Sequence, residues 1–177
     1  MVQTPLCRTD GACPRFLTLR TIDLVPVFAH PSLMYILLDV LEFLQKNERL
    51  RIYAYVIMEN HIHLIASSPA LARGIVDFKS FTTGSVVSYL EAKNARGILA
   101  QLERFRVNGT VPLWQKGWRL EQIPDAGVLR LVVDRIHHNP VRKGYVDDPC
   151  RWHYSSARNY TGQPGLLEVI TEWPRLL

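Results

Sequence analysis

The stretch "RIYAYVIMENHIHLIAS", residues 51–67, decides the fold. Two runs of β-forming residues, 51–58 and 62–67, flank a short polar connection, and this pattern predicts two antiparallel strands joined as a hairpin. Side chains alternate between the two faces of a strand. His61 and His63 are therefore expected to lie side by side on one face, with Ile62 on the other.

The segment before the hairpin predicts a strand followed by a helix. Residues 15–28, "RFLTLRTIDLVPVF", have the composition of a strand. Residues 30–50 have Pro31 near their start, a common position for proline in a helix, and carry apolar residues at helical spacing. The segment therefore indicates an amphipathic helix. The chain is thus expected to run from strand to helix and then into the hairpin.

The segment after the hairpin is mostly helical. Residues 69–106 have a helical pattern, with breaks expected near Gly84 and Gly97. Residues 125–138 carry apolar residues on one helix face, and Pro140 ends this helix because proline disfavours helical geometry in the residue before it. Helices interleaved with a few strands, two of them a hairpin, predict an α+β fold with an antiparallel sheet.

Length and composition favour one folded domain outside the membrane. The chain has 177 residues, of which 47% are apolar. Its apolar runs are no longer than a strand, too short to cross a bilayer, and its start lacks the apolar core of a signal peptide. Cys7, Cys13 and Cys150 form no even disulfide framework, which suits a reducing compartment. We therefore expect a cytoplasmic protein.

The positive charge of the chain is localised. The net charge is +5, and the excess lies in residues 70–120, where eight basic residues face three acidic ones. A localised basic stretch is typical of a phosphate-binding surface, although a solvated helix face gives the same pattern. The eight basic residues are Arg73, Lys79, Lys93, Arg96, Arg104, Arg106, Lys116 and Arg119.

The paired histidines allow two interpretations. Neutral imidazoles are good ligands for a divalent ion, and two on one strand face supply two ligand positions. An Asn, Gln or carboxylate, together with water and phosphate oxygens, would complete the coordination of Mg²⁺ or Mn²⁺. A His-x-His pair in a strand is also found on half-exposed faces with no metal, so the pair alone does not define a site.

A second informative stretch is "DRIHHNPVRKGYV", residues 134–146. Arg135 and Asn139 lie four residues apart, on one flank of the predicted helix, so both side chains are able to reach a groove beside the sheet. Asn139 is equally well explained as a C-cap before proline. The stretch alone therefore leaves a functional and a structural role open.

Four short motifs occur in a consistent order along residues 15–160. They are Met58-Glu-Asn-His-Ile-His63, Trp114-Gln115, Asn139-Pro140-Val141 with Gly144 and Val146, and Trp152 with Ser155, Ser156 and Tyr160. In this order and spacing the chain resembles the HUH single-tyrosine transposases, and within them the REP-associated branch. The resemblance implies a domain over 15–160, an N-terminal extension over 1–14 and a C-terminal tail over 161–177.

The resemblance implies a fold, a ligand and a chemistry. The fold is a ferredoxin-like, RRM-like antiparallel sheet flanked by helices, and the ligand is single-stranded or hairpin DNA. The chemistry is attack of a tyrosine hydroxyl on a DNA phosphate, which leaves a 5′-phosphotyrosine and a free 3′-OH. By position His61, His63 and Asn139 would bind Mg²⁺ or Mn²⁺, which polarises the phosphate.

The chain departs from the family at the nucleophile. The family tyrosine lies four residues before the asparagine, and here that position is Arg135. Arginine stays protonated and cannot act as this nucleophile, although it can hold a phosphate by two hydrogen bonds. Glu59 also replaces the proline expected before Asn60. Tyr145 is the nearest substitute tyrosine, but a packing role explains it more simply.

Basic residues are expected to hold the DNA backbone. Lys79 stands where the resemblance places a lysine. The full expected set is Arg73, Lys79, Lys116, Arg119, Arg135, Arg142 and Lys143.

Three hypotheses remain open at the level of sequence. The first is a protein of this family, expected to be a monomer, that binds a divalent ion and hairpin or single-stranded DNA; Arg135 at the nucleophile position leaves its cleavage activity open. The second is a working strand transferase that uses a displaced tyrosine. The third is a domesticated, non-catalytic module of the same fold that binds RNA, DNA or a protein, with vestigial histidines.

Overall fold

A computed structural model describes residues 13–172 of the chain. Within them an antiparallel sheet has the strand order β2-β3-β1-β4. The strands are β1 (Arg15–Arg20), β2 (Arg51–Ile57), β3 (His61–Ser67) and β4 (Glu121–Gln122). The helices are α1 (Pro31–Lys46), α2 (Leu71–Ala92), α3 (Arg96–Glu103), α4 (Ala126–His137) and α5 (Asn139–Arg142). This βαββαβ order and strand arrangement confirm the predicted α+β, ferredoxin-like fold.

Helices cover both faces of the sheet. Ile62 and Leu64 of β3 share one buried cluster with the apolar stripes of α1 and α2, for example Leu37 and Phe78. The opposite face forms a second cluster with α4. That cluster contains Phe16, Val56 and Ile65 of the sheet and Leu129, Val133 and Ile136 of α4. His61 and His63 alternate with Ile62 and Leu64, so the histidines lie on the α4 face.

The first helix forms as the sequence predicts. Pro31 occupies its first turn, where a missing N–H costs nothing, and the His30 side chain accepts a hydrogen bond from the Ser32 amide. Its buried residues follow the 3.6-residue period through Leu44. The helix ends at Lys46 and is followed by β2, the first strand of the hairpin.

Several boundaries differ from the predictions. The strand expected over 15–28 ends at Arg20, because Asp23 and Leu24 adopt positive φ angles of 50° and 54° that no strand accommodates. Two 3₁₀ turns, Ile22–Leu24 and Val27–Ala29, follow instead.

The helical break expected near Gly84 is absent, since α2 runs through it on a continuous buried stripe that includes Phe78 and Val86. The break falls at residues 93–95, where Asn94 has a φ of 51°, and Gly97 lies inside α3.

The end of α4 is placed as predicted, but Asn139 is not the C-cap of this helix, which was one of the two roles left open for it. The C-cap of α4 is His138, and Asn139 is the first residue of α5. Pro140 occupies the first turn of this new helix, where proline is well tolerated. The asparagine is therefore not the cap of the helix that precedes it.

The cysteines do not support the predicted compartment. Cys150 carries a free thiol, whereas Cys13 is disulfide-bonded. The expectation of a reducing cytoplasm therefore rests on other features and stays a prediction. Between residues 13 and 172 none of the helices combines the length and apolarity that a membrane span requires.

Residues beyond 160 pack against the domain. Leu167 is buried in the cluster beneath α1 and α2, and the Ile170 amide donates a hydrogen bond to the Ile52 carbonyl on β2. This segment covers part of the outer edge of β2.

Candidate metal and nucleic-acid site

Strand pairing brings β1 and β3 together to form the site. Thr18 pairs with His63, and Arg20 pairs with His61. The two imidazole rings are 4.8 Å apart between centroids and inclined by 70°. Phe16, two residues before Thr18 on the same face, stacks on the His63 ring at 5.6 Å. The rings therefore share one face, as strand alternation predicts.

Each histidine is oriented through its Nδ1 atom. His61 Nδ1 lies 2.7 Å from Asn60 Oδ1, and His63 Nδ1 lies 2.7 Å from Thr18 Oγ1. The Nε2 atoms make no hydrogen bond to any residue between 13 and 172. An imidazole held at one nitrogen with the other free is the arrangement that metal-binding histidines use.

Both histidines are uncharged at neutral pH. Burial lowers the pKa of His63 to about 3, and the neighbouring His61 and Arg135 add to this effect. Burial also lowers the pKa of His61, opposed by the charge of Glu59. A lone pair on each ring is thus available to a cation.

Four cations surround the histidines, and we call Arg20, Arg135, Arg142 and Lys143 the basic cluster. The charges of Arg135 and Arg142 lower the pKa of His63. The charge of Lys143 lowers the pKa of His61, and the charge of Arg20 lowers both. The Arg135 guanidinium lies 5.0 Å from the centroid of the Phe16 ring. Arg142 Nη2 donates to the Arg135 carbonyl at 2.5 Å. Concentrated positive charge beside neutral imidazoles is suited to an anionic group such as phosphate.

Asn139 stands apart from this pair in hydrogen bonding. It is half-buried at the start of α5, and in the region from 13 to 172 its side chain makes no hydrogen bond to either histidine. No other hydrogen bond of its side-chain amide is found among the described residues. The assignment of Asn139 as a metal ligand stays a prediction.

The remaining predicted DNA-binding residues lie outside the basic cluster. Lys79 and Arg73 belong to α2, which packs on the opposite face of the sheet. Lys79 Nζ donates to the Gln115 carbonyl at 3.0 Å, and burial lowers its pKa. Arg73 pairs with Asp77 at 3.1 Å. Lys79 and Arg73 therefore have structural partners of their own.

Lys116 and Arg119 are exposed in a loop that begins beside the basic cluster. The Gln115 amide donates to the Arg20 carbonyl at 2.8 Å, so the loop leaves the sheet at Arg20. Their assignment as DNA-binding residues stays a prediction.

Tyr145 lies near the histidine end of the hairpin. Its ring stacks on Trp152 at 5.4 Å with an interplanar angle of 19°, and 48% of its surface is exposed. Burial raises its pKa, as do a hydrogen bond to the Glu59 carboxylate and the charge of that group.

Sequence reasoning missed the contributions of Phe16, Thr18 and Arg20. These residues are separated from the histidines by about 45 positions, and only the β1–β3 register brings them into contact.

The residues present are compatible with a divalent ion. Two neutral imidazoles present free Nε2 atoms, and the Asn139 amide is uncommitted, which matches the nitrogen and oxygen donors that Mn²⁺ and Mg²⁺ accept. Across residues 13–172 no three His, Cys, Asp or Glu side chains converge on one point. Oxygen donors from a bound phosphate would therefore have to complete the shell.

Comparison with known proteins identifies solved structures that share the fold. No protein-family model matches the sequence, and no curated protein matches it. The structure of a REP-associated tyrosine transposase bound to a REP hairpin aligns over 100% of this chain and 96% of its own, with a TM-score of 0.58 and 16% identity. The chain has the fold of this transposase. At this identity the likeness establishes the fold and not the chemistry.

A second solved structure is more distant. A protein described as a transposase from Deinococcus radiodurans R1 aligns over 68% of this chain and 86% of its own, with a TM-score of 0.43 and 12% identity.

Proposed function

We propose that this chain is a member of the REP-associated tyrosine transposase family that binds single-stranded or hairpin DNA at the histidine end of the sheet. The observation that carries the proposal is the basic cluster, which places four cations around two neutral histidines. The transposase of the same fold binds a REP hairpin, which supports DNA as the ligand.

The basic cluster is suited to holding a phosphate. Arginine presents a planar set of donors that matches phosphate oxygens in pairs, and Arg135 is held over Phe16 by cation–π contact. The neutral histidines offer no negative charge, and the Glu59 carboxylate opposes only part of the positive charge, so an incoming phosphate meets a net positive potential. In this proposal Arg135 binds the phosphate from the sequence position that the nucleophilic tyrosine occupies in the family.

His61, His63 and Asn139 would hold a divalent ion in this proposal. When bound, Mg²⁺ or Mn²⁺ supplies Lewis-acid polarisation of a phosphate oxygen. Asn60 and Thr18 keep both rings oriented with Nε2 free, and Arg135 orients the phosphate from the α4 side. The chain's own residues therefore prepare a site for a phosphate beside a metal.

The test is a gel-shift titration with labelled hairpin DNA from the repeats that flank the gene. The variant Arg135→Ala/Arg142→Ala is expected to weaken binding by at least about tenfold, since each charge-assisted hydrogen bond contributes roughly 1.5–3 kcal/mol. Arg130→Ala is the matched control, because Arg130 is an exposed arginine on the same helix and is expected to leave binding unchanged.

Two results would overturn the proposal. One is the absence of binding to any single-stranded or hairpin DNA. The other is the same loss of binding free energy per charge removed in the Arg130 control, which loses one charge, and in the double variant, which loses two; affinity would then follow net charge and not the site. Binding that ignores Mn²⁺ and prefers RNA would instead favour the non-catalytic module.

A further inference from the structure

We propose that four neighbouring aromatic rings form a stacking surface for unpaired DNA bases beside the basic cluster. We call Tyr35, Tyr145, Trp152 and Tyr154 the aromatic row. The inference rests on the proposed function, since it requires a DNA strand held at the basic cluster. It deepens that function by assigning a site to the bases, whereas the basic cluster would hold phosphates.

The rings of the aromatic row follow one another at contact distance. Tyr145 stacks on Trp152, with 5.4 Å between the ring centroids and 19° between the ring planes. Trp152 meets Tyr154 edge-on at 5.9 Å, and Tyr154 meets Tyr35 of α1 edge-on at 5.9 Å. Aromatic pairs at these separations attract one another. The row therefore joins α1 to the segment after α5 through one series of ring contacts.

The inner rings of the row are packed on the protein, and the outer rings are open to solvent. Trp152 and Tyr154 are partly buried against the core. Tyr145 and Tyr35 keep 48% and 46% of their surface exposed. Single exposed apolar side chains are common on protein surfaces, but grouped ones are typical of interaction sites. The two ends of the row thus offer ring surface to a ligand.

The last residue of β2 holds the aromatic row next to the histidines. Trp152 Nε1 donates to the Ile57 carbonyl at 3.0 Å, and the Ile57 amide donates to the Tyr154 carbonyl at 2.8 Å. Ile57 pairs with Ile62 of β3, which lies between the two histidines. Because two rings of the row are fixed to one backbone position, they lose little freedom when a base stacks on their neighbours.

The chain turns directly from the basic cluster into the aromatic row. Arg142 and Lys143 are exposed, and Gly144 adopts a φ of 75° that turns the chain after α5. The Tyr145 amide donates to the Pro140 carbonyl at 3.0 Å, which closes this turn. A DNA strand with a phosphate at the two cations therefore has the Tyr145 ring next to it.

The charges around the row favour a phosphate on one side of it. Asp147, which follows Tyr145, pairs with Arg151 at 2.9 Å. The charge of Glu59 acts on the Tyr145 hydroxyl and opposes a phosphate at that atom. We therefore expect the phosphates at the cations that precede Tyr145, and a base, which carries no charge, on its ring.

Unpaired bases are the ligand that this combination fits. Every base has a flat π face, and proteins that bind single-stranded nucleic acid combine stacking rings with cations that follow the backbone. In a paired stem the base faces are covered by the neighbouring base pairs, except at its end. The aromatic row would thus select DNA in which an unpaired stretch adjoins the hairpin.

Hairpins with abasic tails separate stacking from charge. Labelled hairpins from the repeats that flank the gene carry a short single-stranded tail at the 5′ or the 3′ end, and in a matched set the tail nucleotides lack their bases. Both tails have the same phosphates. The Kd of the abasic form divided by that of the base-bearing form, which we call the base preference, is measured by fluorescence anisotropy with the full chain. We expect a base preference of at least about fivefold for a tail at one of the two ends, since loss of one base–aromatic stack weakens binding by about this factor or more.

Variants of the outer rings assign this preference to the row. Tyr35→Ala/Tyr145→Ala is expected to lower the base preference to about one, because both outer rings are lost. Tyr145→Phe keeps the ring without its hydroxyl and should retain the preference. Phe43→Ala/Phe81→Ala is the matched control. It removes two rings of α1 and α2 that are 49% and 45% exposed and contact each other at 6.1 Å, and it should leave the base preference unchanged.

The outcomes separate this inference from the proposed function. A base preference of one for the wild type at both tail ends overturns the inference without use of any variant. A preference that persists without both outer rings, that is lost in Tyr145→Phe, or that falls equally in the phenylalanine control also overturns it. Each of these results leaves hairpin binding at the basic cluster, and with it the proposed function, intact. Failure of every hairpin to bind the wild type removes both proposals together.

Discussion

His61 and His63 have the protonation state that a metal ligand requires, but the charges around them repel a metal cation. Both rings are neutral with free Nε2 atoms, yet the positive charges of the basic cluster oppose a dication. A DNA phosphate would neutralise that charge and add oxygen ligands. We therefore expect saturating hairpin DNA to tighten Mn²⁺ binding by about tenfold, and Mn²⁺ to tighten DNA binding by the same factor.

Calorimetric titration of Mn²⁺ with and without DNA measures this coupling. His61→Ala/His63→Ala should abolish it, whereas His153→Ala, which alters an exposed histidine away from the site, should preserve it. Mn²⁺ affinity that is the same with and without DNA would show that phosphate is no part of the metal's environment.

Single residues of the site were predictable only where a local period applies. The shared face of His61 and His63 follows from strand alternation alone. Thr18 and Arg20 were out of reach, because their positions beside the histidines depend on the β1–β3 register.

At the scale of elements, hydrogen bonds of Ser156 join the segment after α5 to β2. The Ser156 amide donates to the Tyr55 carbonyl at 3.0 Å, and its Oγ accepts from the Tyr55 amide at 3.0 Å. The same Oγ lies 2.8 Å from His137 Nε2 on α4. Ser156→Ala removes a buried group from three elements at once and should lower the free energy of unfolding by about 1–3 kcal/mol.

Urea denaturation of Ser155→Ala provides the comparison. Ser155 is also buried, but its hydroxyl bonds only within the segment, to the Trp152 carbonyl and the Ala157 amide. Ser155→Ala should therefore lower the free energy of unfolding by less than Ser156→Ala does. Equal losses in the two variants would show that Ser156 does not join the elements energetically.

The elements themselves were predictable in proportion to their periodicity. The hairpin, α1 and α4 carry long apolar patterns, and all three are present near their expected bounds. Strand β4 was missed, since Glu121 and Gln122 are exposed and two residues show no period. Of the two breaks expected near Gly84 and Gly97, the first is absent, and the second falls at residues 93–95, where Asn94, and no glycine, has a positive φ angle.

For the molecule as a whole, the sheet separates two kinds of positive charge. The basic stretch 70–120 begins on α2, on the face opposite the histidines, where Arg73 and Lys79 have protein partners. The basic cluster draws instead on β1, α4, α5 and the residue after α5. Linear charge density therefore did not reveal the basic cluster, since folding brings its cations together from β1 and from residues 135–143.

Global stability should depend on pH through His137, which is buried between α4 and the C-terminal segment. Burial lowers its pKa to about 4, below its unfolded value near 6.5. A lowered folded pKa means that the unfolded chain binds more protons between these values. Stability is thus fully present above about pH 6.5 and is lost as the pH falls toward 4, by up to about 3 kcal/mol from this residue.

Urea unfolding of the wild type and His137→Gln at several pH values isolates this contribution from that of the carboxylates. The variant loses the buried imidazole and its contact with Ser156, so it should be less stable at pH 7. Glutamine at position 137 takes up no proton on unfolding, so the variant lacks the loss of stability that His137 causes at low pH. The difference in unfolding free energy between wild type and variant should therefore narrow steadily between pH 6.5 and 4.5. A gap that stays constant over this range would mean that His137 titrates alike in the folded and unfolded chains, and that its burial carries no proton-linked stability.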